Sequence, residues 1–338
     1  MTTPYDVLVL GGGQAGLAAG YHLQQTGLSF AILEGTSDVG GSWPHYYDSL
    51  RLFSPAGRSS LPGMPFPGKP HHYPTRDEVV AYVRHYARHF ELPIVTDARV
   101  LRVERTAPGF RISTSSGTIY HARSIIAATG AFHRPYLPSL PGQDAFAGRL
   151  LHAATYRNPT SFEGQRVLVV GAGNSAIQIA VELARVAHVT LATRAPIRFR
   201  PQKLIGQDIH HWAWLLGLDR LPLGILSGKA VAIGVLDTGV YQAAIAAGKP
   251  DRRPLFTRFT SAGVVWPDGT AEPIDTVIYA TGYRPNLDYL AGLGALDADG
   301  QPLHRRGMST MVPGLATFTL SMSSNQLLTA TPVELTYG

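Results

Sequence analysis

Residues 5–16 read YDVLVLGGGQAG, an apolar run that passes directly into a glycine-rich turn. An almost unbroken apolar run of this length is typical of a strand buried on both faces of a parallel sheet. A helical pattern follows as far as Gln25, and a second apolar run, residues 30–33, ends at Glu34. The order strand, GxGxxG, helix, strand and acidic residue predicts a dinucleotide-binding βαβ unit.

The glycines of this turn have separate tasks. Gly11 permits the tight turn, Gly13 lets a pyrophosphate approach the backbone, and Gly16 lets the helix pack on the strand. The helix N-terminus offers unpaired N–H groups and the positive end of a dipole to phosphates. Glu34 follows Gly16 by 18 residues, where a carboxylate accepts hydrogen bonds from ribose hydroxyls. The predicted cofactor-binding residues of this unit are Gly11, Gly13, Gln14, Ala15, Gly16 and Glu34.

The same pattern recurs 160 residues later, where an apolar run at 166–170 precedes GAGNSA at 171–176. One such turn occurs in many α/β proteins, but two copies with equal internal spacing favour two nucleotide sites. The position equivalent to Glu34 is Arg194. An acid reads a free 2′-hydroxyl, whereas a guanidinium binds a 2′-phosphate, so the second site is predicted to prefer NADPH over NADH. Its predicted residues are Gly171, Gly173, Asn174, Ser175, Thr193 and Arg194.

The composition narrows the class of protein further. A length of 338 residues predicts about two domains, and 45% hydrophobic residues can form a sizeable core. The absence of cysteine excludes disulfide scaffolds, thiolate zinc sites and cysteine nucleophiles. The net charge is +6, but the arginines are scattered, so no nucleic-acid partner is expected. The pairs His71-His72 and His210-His211 lack further ligands at metal spacing, and no GxSxG is present, so neither a metal nor a serine hydrolase is expected.

No signal-peptide pattern precedes Tyr5, and one stretch, residues 231–248, is apolar enough to suggest a membrane span. Asp237 interrupts this stretch and Lys229 and Lys249 flank it, so a buried or interface helix is favoured over a span. We therefore predict a cytoplasmic protein without a membrane span, and this helix is where a homodimer contact is expected.

Between the glycine-rich turns, residues 54–74 contain six prolines and three glycines and predict an irregular surface excursion. Thr75-Arg76-Asp77-Glu78 is then typical of a capping box that starts an amphipathic helix. Short antiparallel strands are predicted next, followed by two separate buried strands that end in the same tripeptide. The antiparallel strands are predicted at 100–103, 109–113 and 118–120. The buried strands are predicted at 124–128 and 276–280, and they run into Ala128-Thr129-Gly130 and Ala280-Thr281-Gly282. The two small-residue turns predict the crossovers between the domains.

Four segments resemble the class B flavoprotein monooxygenases, single-chain enzymes that use FAD and NADPH. The first is the pair of nucleotide fingerprints, in the order FAD and then NADPH. The others are GGSW at 40–43, which matches the family's GGxW beside the flavin; FAGRLLHAATY at 146–156, which matches FxGxxxHxxx[FYW]; and ATGYRP at 280–285, the family's return to the FAD domain.

The resemblance implies an α/β fold of two Rossmann-like dinucleotide-binding domains, with the NADPH domain inserted in the FAD domain. The division expected is 1–157 plus 272–338 for FAD and 158–271 for NADPH. Further residues are predicted to contact the cofactors: Gly41, Trp43, Leu52, Phe53, Val100, Thr129, Gly130 and Gly282.

The resemblance also implies a reaction. NADPH reduces FAD, dioxygen adds to give a flavin C4a-hydroperoxide, and one oxygen atom passes to a small-molecule sulfide or amine, or to a ketone. Because the flavin carries the oxygen chemistry, no side chain need act as a nucleophile. His152, Phe53 and Arg51 are the candidates for shaping the catalytic site, and His152 fits a structural role under the interdomain linker equally well. Tyr156 at the last signature position favours heteroatom oxygenation over Baeyer–Villiger chemistry.

Two departures keep other functions open. Phe53 stands where many flavin-containing monooxygenases carry an Asn beside the flavin. The tail after residue 320 lacks the expected glycine-containing turn and helix facing the flavin, which suggests a truncated or frame-shifted end. An uncoupled NADPH oxidase that releases peroxide, and a degenerate flavoprotein that serves as a binding scaffold, are therefore retained as alternatives.

Overall fold

The computed structural model describes residues 4–217 and 234–317, which form an α/β fold built on two largely parallel sheets. The first sheet has nine strands, and five of them are parallel neighbours, in the spatial order Leu315–Thr317, Ile119–Ala127, Tyr5–Leu10, Phe30–Leu33 and Ile94–Val95. In chain order the nine strands are Tyr5–Leu10, Phe30–Leu33, Ile94–Val95, Val100–Thr106, Gly109–Thr114, Ile119–Ala127, His304–Arg305, Met308–Ser309 and Leu315–Thr317.

Alternate residues of the first strand enter two separate cores. Val7 and Val9 pack under the helices α1 (Gln14–Gln24) and α2 (Arg76–His89), while Leu8 and Leu10 pack on the opposite face. Side chains of a strand alternate between faces, so burial of every residue from position 7 to 10 means that helices or strands cover both faces. This arrangement confirms the buried strand predicted from the apolar run.

The second sheet has five parallel strands, in the spatial order Asp251–Pro254, His188–Thr193, Arg166–Val170, Thr276–Tyr279 and Arg149–His152. Helix α3 (Asn174–Leu183) covers one face, and a three-stranded antiparallel sheet carrying Trp266 covers the other. Two of the five strands, Arg149–His152 and Thr276–Tyr279, lie outside the segment 158–271 that the sequence assigned to the second domain.

The remaining elements are short. The three-stranded sheet contains Arg258–Thr260, Gly263–Val265 and Ala271–Pro273; paired strands are Phe199–Pro201 with Val235–Asp237, Lys203–Leu204 with Gln207–Asp208, and Arg134–Pro135 with Tyr283–Arg284. Two further short helices are α4 (Ile209–Leu215) and α5 (Val240–Ala246), and 3₁₀ turns occur at Trp43–His45, Ala56–Arg58, Gln143–Ala145, Thr160–Phe162 and Asp288–Leu293.

The capping box predicted at the start of α2 is present: Thr75 accepts from the Glu78 amide, and Glu78 accepts from the Thr75 amide. The proline-rich excursion before it is irregular, as predicted, but it is not confined to the surface. The Tyr82 hydroxyl accepts from the Leu61 amide and donates to the Met64 carbonyl, which ties the excursion to α2.

Two predicted elements differ from the structure. Residues 118–120 and 124–128 are not separate strands, because Ile119–Ala127 is continuous: its first half pairs antiparallel with Gly109–Thr114 and its second half parallel with Tyr5–Leu10. The described part of the stretch 231–248 is not one buried helix either. Asp237, which ends a short strand, accepts from two amides of α5, and α5 lies on the surface with no buried residue.

Residues 231–233 and the tail expectations after residue 317 lie outside the described residues. Across 4–217 and 234–317, no helix has both the length and the apolar character needed to cross a membrane.

Candidate functional site

The first glycine-rich turn is closed by a carbonyl from the neighbouring strand. Gly11 has φ +113°, and a Cβ there would lie 2.6 Å from the carbonyl oxygen of Ala128. A Cβ on Gly16 would lie 1.8 Å from the carbonyl oxygen of Gly11. Glycine is therefore required at both positions, the first for its φ and the second for the close packing of α1 on the turn.

Glu34 is fixed at the end of the second strand. Its side chain is 5% exposed, and its Oε2 accepts from the Gly12 amide at 2.7 Å. Its Oε1 accepts from the amide and hydroxyl of Thr36, each at 2.9 Å. Three bonds use part of the carboxylate's capacity and hold it rigidly beside the turn, where it can still accept from a ribose hydroxyl.

A cavity of about 270 Å³ opens in front of this turn. Residues of the first unit line most of it, the predicted cofactor residues among them, and the N-terminal turn of α3 also reaches it from the second unit. The predicted site residues that line the cavity are Gly11, Gly13, Gln14, Ala15, Glu34, Gly41, Trp43, Arg51, Leu52, Phe53, Val100, Thr129, Gly130, Asn174 and Ser175.

One wall of the cavity is a row of aromatic rings. The Trp43 indole donates to Gln14 Oε1 at 3.1 Å, and its ring meets Tyr46 edge-on at 5.5 Å. Tyr46 meets Phe132, and Phe132 meets Tyr283, with ring centroids 6.1 and 5.1 Å apart. Burial raises the pKa of Tyr46 well above its usual value, so this wall stays uncharged.

The second glycine-rich turn resembles the first in the packing of its first glycine, but its second glycine faces open space. Gly171 has φ +149°, and a Cβ there would lie 2.4 Å from the carbonyl oxygen of Ala280. A Cβ on Gly173 would meet nothing within 4 Å. Arg194 is exposed, and no carboxylate of the described ranges lies within ion-pair distance of it. Thr193 is buried, and its hydroxyl has no hydrogen-bond partner among those residues.

His152 does not line the cavity. Its Nε2 donates to the Gly282 carbonyl at 3.0 Å, and its Nδ1 accepts from the Ala154 amide at 3.0 Å. Burial lowers the pKa of His152, so the ring is neutral, and both of its nitrogens form hydrogen bonds with backbone groups. The ring also packs edge-on against Tyr283 at 5.0 Å. In this structure the signature histidine therefore braces the return crossover and packs against Tyr283, which lines the cavity.

Seven predicted site residues lie outside the cavity lining: Gly16, His152, Gly171, Gly173, Thr193, Arg194 and Gly282. Gly16 packs beneath the first turn, and the others belong to the second turn or to the crossovers. Metal sites are not indicated, because no three His, Asp or Glu side chains of the described part of the chain come together as ligands.

Sequence reasoning missed several lining residues. Gln178, one turn into α3, accepts from the Tyr47 hydroxyl at 2.5 Å and joins the two units at the cavity. Arg99, beside the predicted Val100, lies against Gly35. The only indication in the sequence was that Gln178 and Arg99 lie close along the chain to residues that were predicted. An apolar end of the cavity comes from the excursion and α2: Leu61, Phe66, Val79, Tyr82 and Val83.

The residues present fit the two nucleotides that the pattern predicted. Gly13 and Gly41 face each other, and a Cβ on Gly41 would lie 3.1 Å from the Gly13 Cα, so side chains here would close the approach to the backbone. The buried carboxylate of Glu34 follows the second strand of the first unit, and the exposed guanidinium of Arg194, which has no carboxylate partner among the described residues, follows the corresponding strand of the second. Both helix N-termini can receive phosphate groups.

Comparisons with known proteins agree with this geometry. A profile of the pyridine nucleotide-disulphide oxidoreductase family matches residues 8–212. An uncharacterized oxidoreductase CzcO-like of Geobacillus kaustophilus is 36% identical over 316 residues, covering 92% of this chain and 89% of its own. The indole-3-pyruvate monooxygenase YUCCA4 of Oryza sativa is 30% identical, with 83% and 75% covered. A solved flavin-containing monooxygenase from Stenotrophomonas maltophilia is 36% identical with a TM-score of 0.81, covering 94% of this chain and 90% of that one.

The chain has no cysteine, so the dithiol chemistry in the profile's name is not available to it. Its signature segments are those of the oxygenating branch, and its relatives include flavin monooxygenases. The chain therefore belongs to the pyridine nucleotide-disulphide oxidoreductase family and, within it, to the class B flavoprotein monooxygenases.

Proposed function

We propose that this enzyme is an FAD- and NADPH-dependent monooxygenase that transfers one atom of dioxygen to a small sulfide or amine. The observation that carries the proposal is the single cavity shared by α1 and α3. Because the helix of each glycine-rich turn begins at that cavity, the reactive ends of two dinucleotides can meet there.

In this proposal the first unit holds FAD. Gly11, Gly13 and Gly16 form the pyrophosphate turn, Glu34 accepts from the adenosine ribose, and Trp43 bounds the flavin end. When bound, the flavin accepts a hydride and activates dioxygen. The contribution of the chain is to hold the ring, to place the nicotinamide against it, and to keep water away from it. The aromatic wall and the apolar end of the cavity support that last task.

NADPH is proposed to bind the second unit through Gly171, Gly173, Ser175 and Arg194. The exposed guanidinium supports this assignment, because it is free to form a charge-assisted fork with a 2′-phosphate. The division into an FAD domain and an inserted NADPH domain is part of the proposal. The membership of the second sheet favours boundaries at the paired linker strands Arg134–Pro135 and Tyr283–Arg284 rather than at 157 and 272.

The substrate class rests on the apolar end of the cavity, which suits an uncharged soft nucleophile. Oxygenation of a ketone is the alternative within the same proposal. One observation favours a second candidate, the uncoupled NADPH oxidase. Phe53 lines the cavity at a position where an Asn would offer a hydrogen-bond donor, and a phenyl ring offers none.

One experiment separates these candidates. Purified protein is mixed with FAD, NADPH and thioanisole in air, and sulfoxide, peroxide and NADPH consumption are measured together. Sulfoxide formed close to one per NADPH supports the monooxygenase; peroxide close to one per NADPH, with no sulfoxide, supports the oxidase. Protein that binds no FAD contradicts both. A cytoplasmic location and a homodimer remain predictions, the second testable by light scattering.

A further inference from the structure

Asp208 is a buried carboxylate outside the cofactor cavity, 6% exposed, at the N-terminus of α4. Its Oδ2 accepts from the Tyr73 hydroxyl at 2.5 Å and from the Gln202 amide at 2.7 Å. Its Oδ1 accepts from the backbone amide of His210 at 2.8 Å and from the His210 ring Nδ1 at 2.6 Å. Four hydrogen bonds fill the carboxylate's acceptor capacity, so Asp208 has no free lone pair with which to bind a ligand.

The ionised form of this carboxylate is the stable one. Burial alone would raise the pKa of Asp208, but the hydrogen bonds from His210, Tyr73 and Gln202 hold it at about 2. An ionised carboxylate can only accept, so the proton of the pair lies on the His210 Nδ1. The bond therefore fixes both the tautomer and the orientation of the His210 ring.

Two partners of Asp208 converge on Phe53. The Gln202 side-chain amide, besides donating to Asp208, donates to the Phe53 carbonyl at 2.8 Å. The His210 ring stacks on the Phe53 ring at 6.1 Å between centroids and 26° between planes. Phe53 itself lines the cofactor cavity. One contact thus holds its backbone and the other holds its ring, and both depend on Asp208.

The network also joins the two halves of the site. Phe53 immediately precedes the proline-rich excursion of the first unit and Tyr73 lies near the end of that excursion, whereas Gln202, Asp208 and His210 follow the strand His188–Thr193 of the second. The second unit therefore supplies the support for a wall of the cavity built largely by the first.

We propose that Asp208 is a positioning residue that, through His210 and Gln202, holds the Phe53 ring against the flavin end of the cavity. The proposal rests on the proposed function, since it takes the cavity to hold FAD. It predicts that loss of the Asp208 charge alters the environment of the bound flavin although Asp208 never touches it.

A double-mutant cycle tests this inference. Asp208→Asn and Phe53→Leu are made singly and together, and each protein is stripped of flavin and titrated with FAD alone. The readouts are the FAD dissociation constant, the shape of the visible absorption band of the bound flavin, and the thermal midpoint. We expect Asp208→Asn to weaken FAD binding about threefold to thirtyfold and to shift the band, and to do neither in the Phe53→Leu background.

Asp237→Asn is the matched control. Asp237 is also 6% exposed and also accepts from amides at the start of a helix, but within the described ranges its side chain makes no hydrogen bond to Phe53, Gln202 or His210. Its backbone carbonyl accepts from the Gln202 backbone amide, a bond that the substitution leaves in place. It is expected to lower the thermal midpoint without changing the flavin band. If Asp208→Asn yields no folded protein, Tyr73→Phe, which removes one of the four bonds, is expected to give the same changes at smaller size.

Three results would overturn the inference: an Asp208→Asn protein that loses only thermal stability, as Asp237→Asn does; an Asp208→Asn effect of equal size in the wild-type and Phe53→Leu backgrounds; or a Tyr73→Phe protein with an unchanged band. A wild-type protein that binds no FAD would instead overturn the proposed function. The two failures are therefore distinguishable.

Discussion

The two glycine-rich turns share the packing of their first glycine but differ at the third glycine position and at the charged residue that follows the next strand. In each, the first glycine lies against the carbonyl of an Ala-Thr-Gly crossover, Ala128 in one and Ala280 in the other. In the first turn the third position is Gly16, packed too closely for any side chain, and the strand-end acid is buried. In the second turn the third position is the buried methyl of Ala176, and the strand-end base is exposed.

If the first unit holds FAD and the second NADPH, as proposed, this difference separates a cofactor that is retained from one that exchanges. A turn with a sealed acid and close helix packing leaves little freedom to release its nucleotide. An exposed guanidinium without a partner carboxylate in the described residues has no ion pair to break when a phosphate arrives and none to restore when it departs. The geometry therefore suits a resident flavin in the first unit and a nicotinamide that turns over in the second.

The largest expected effect comes from giving the first turn an alanine at the third glycine of its GxGxxG pattern, where the second turn has Ala176. Gly16→Ala places a Cβ 1.8 Å from a backbone oxygen, and no side-chain rotation can relieve that overlap. We expect a loss of about 3 kcal/mol or more of folding free energy and loss of FAD retention. The reciprocal Ala176→Gly should cost about 1 kcal/mol and keep the flavin. Flavin content and denaturant unfolding of both proteins provide the measurement; equal losses would contradict the difference in packing.

The next largest effect is expected from replacing Glu34, the buried acid of the first unit. Glu34→Arg buries an uncompensated cation beside the Gly12 amide and removes the acceptor of three hydrogen bonds. Destabilisation by about 3 kcal/mol, the lower end of the cost of an unpaired buried charge, and loss of bound FAD are expected. Glu163→Arg makes the same change at an exposed position and should shift stability by less than about 0.5 kcal/mol. Chemical denaturation followed by FAD titration checks both, and full flavin content in Glu34→Arg would remove Glu34 from the site.

The sequence predicted those parts of the site that local chemistry encodes. A phosphate-binding turn needs glycines at fixed spacing and a polar residue at a fixed distance, so Gly11, Gly16, Glu34 and Arg194 could be located from the chain alone. The α2 capping box was predictable for the same reason, because all its partners lie within four residues.

Long-range pairing could not be found in this way. Tyr73 and Asp208 meet across 135 positions, and Tyr47 meets Gln178 across 131. Neither pair leaves a periodic or motif signal. The continuous strand Ile119–Ala127 was divided in prediction because its two halves pair in opposite directions, and the partners of a strand are not written in its own sequence. The stretch 231–248 was misassigned because apolar composition does not show where Asp237 caps the next helix.

A smaller effect, limited to one cofactor, is expected at Arg194, the basic residue after the strand of the second unit. Arg194→Ala removes a charge-assisted fork worth on the order of 1.5–3 kcal/mol, so the KM for NADPH should rise roughly tenfold to a hundredfold. The KM for NADH and the thermal midpoint should not change, since the side chain is exposed. Arg88→Ala, an exposed arginine on α2, is the control and should affect neither coenzyme. Equal effects of Arg194→Ala on NADPH and NADH would refute the proposed reading of the 2′-phosphate.

The smallest effect is expected at Thr193, the residue before Arg194, where a substitution should stabilise the protein and not weaken it. The Thr193 hydroxyl is buried and has no partner within the described ranges, so it bears a desolvation cost with no hydrogen bond in return. Thr193→Val replaces it with a methyl group of similar shape in a strand, and should raise the free energy of unfolding by up to about 1 kcal/mol. Because that hydroxyl is shielded, the KM for NADPH should stay the same, which separates Thr193 from Arg194 as a direct contact. A raised KM for NADPH in Thr193→Val would show instead that the strand end opens to the coenzyme, and would make the second turn still more open than the first.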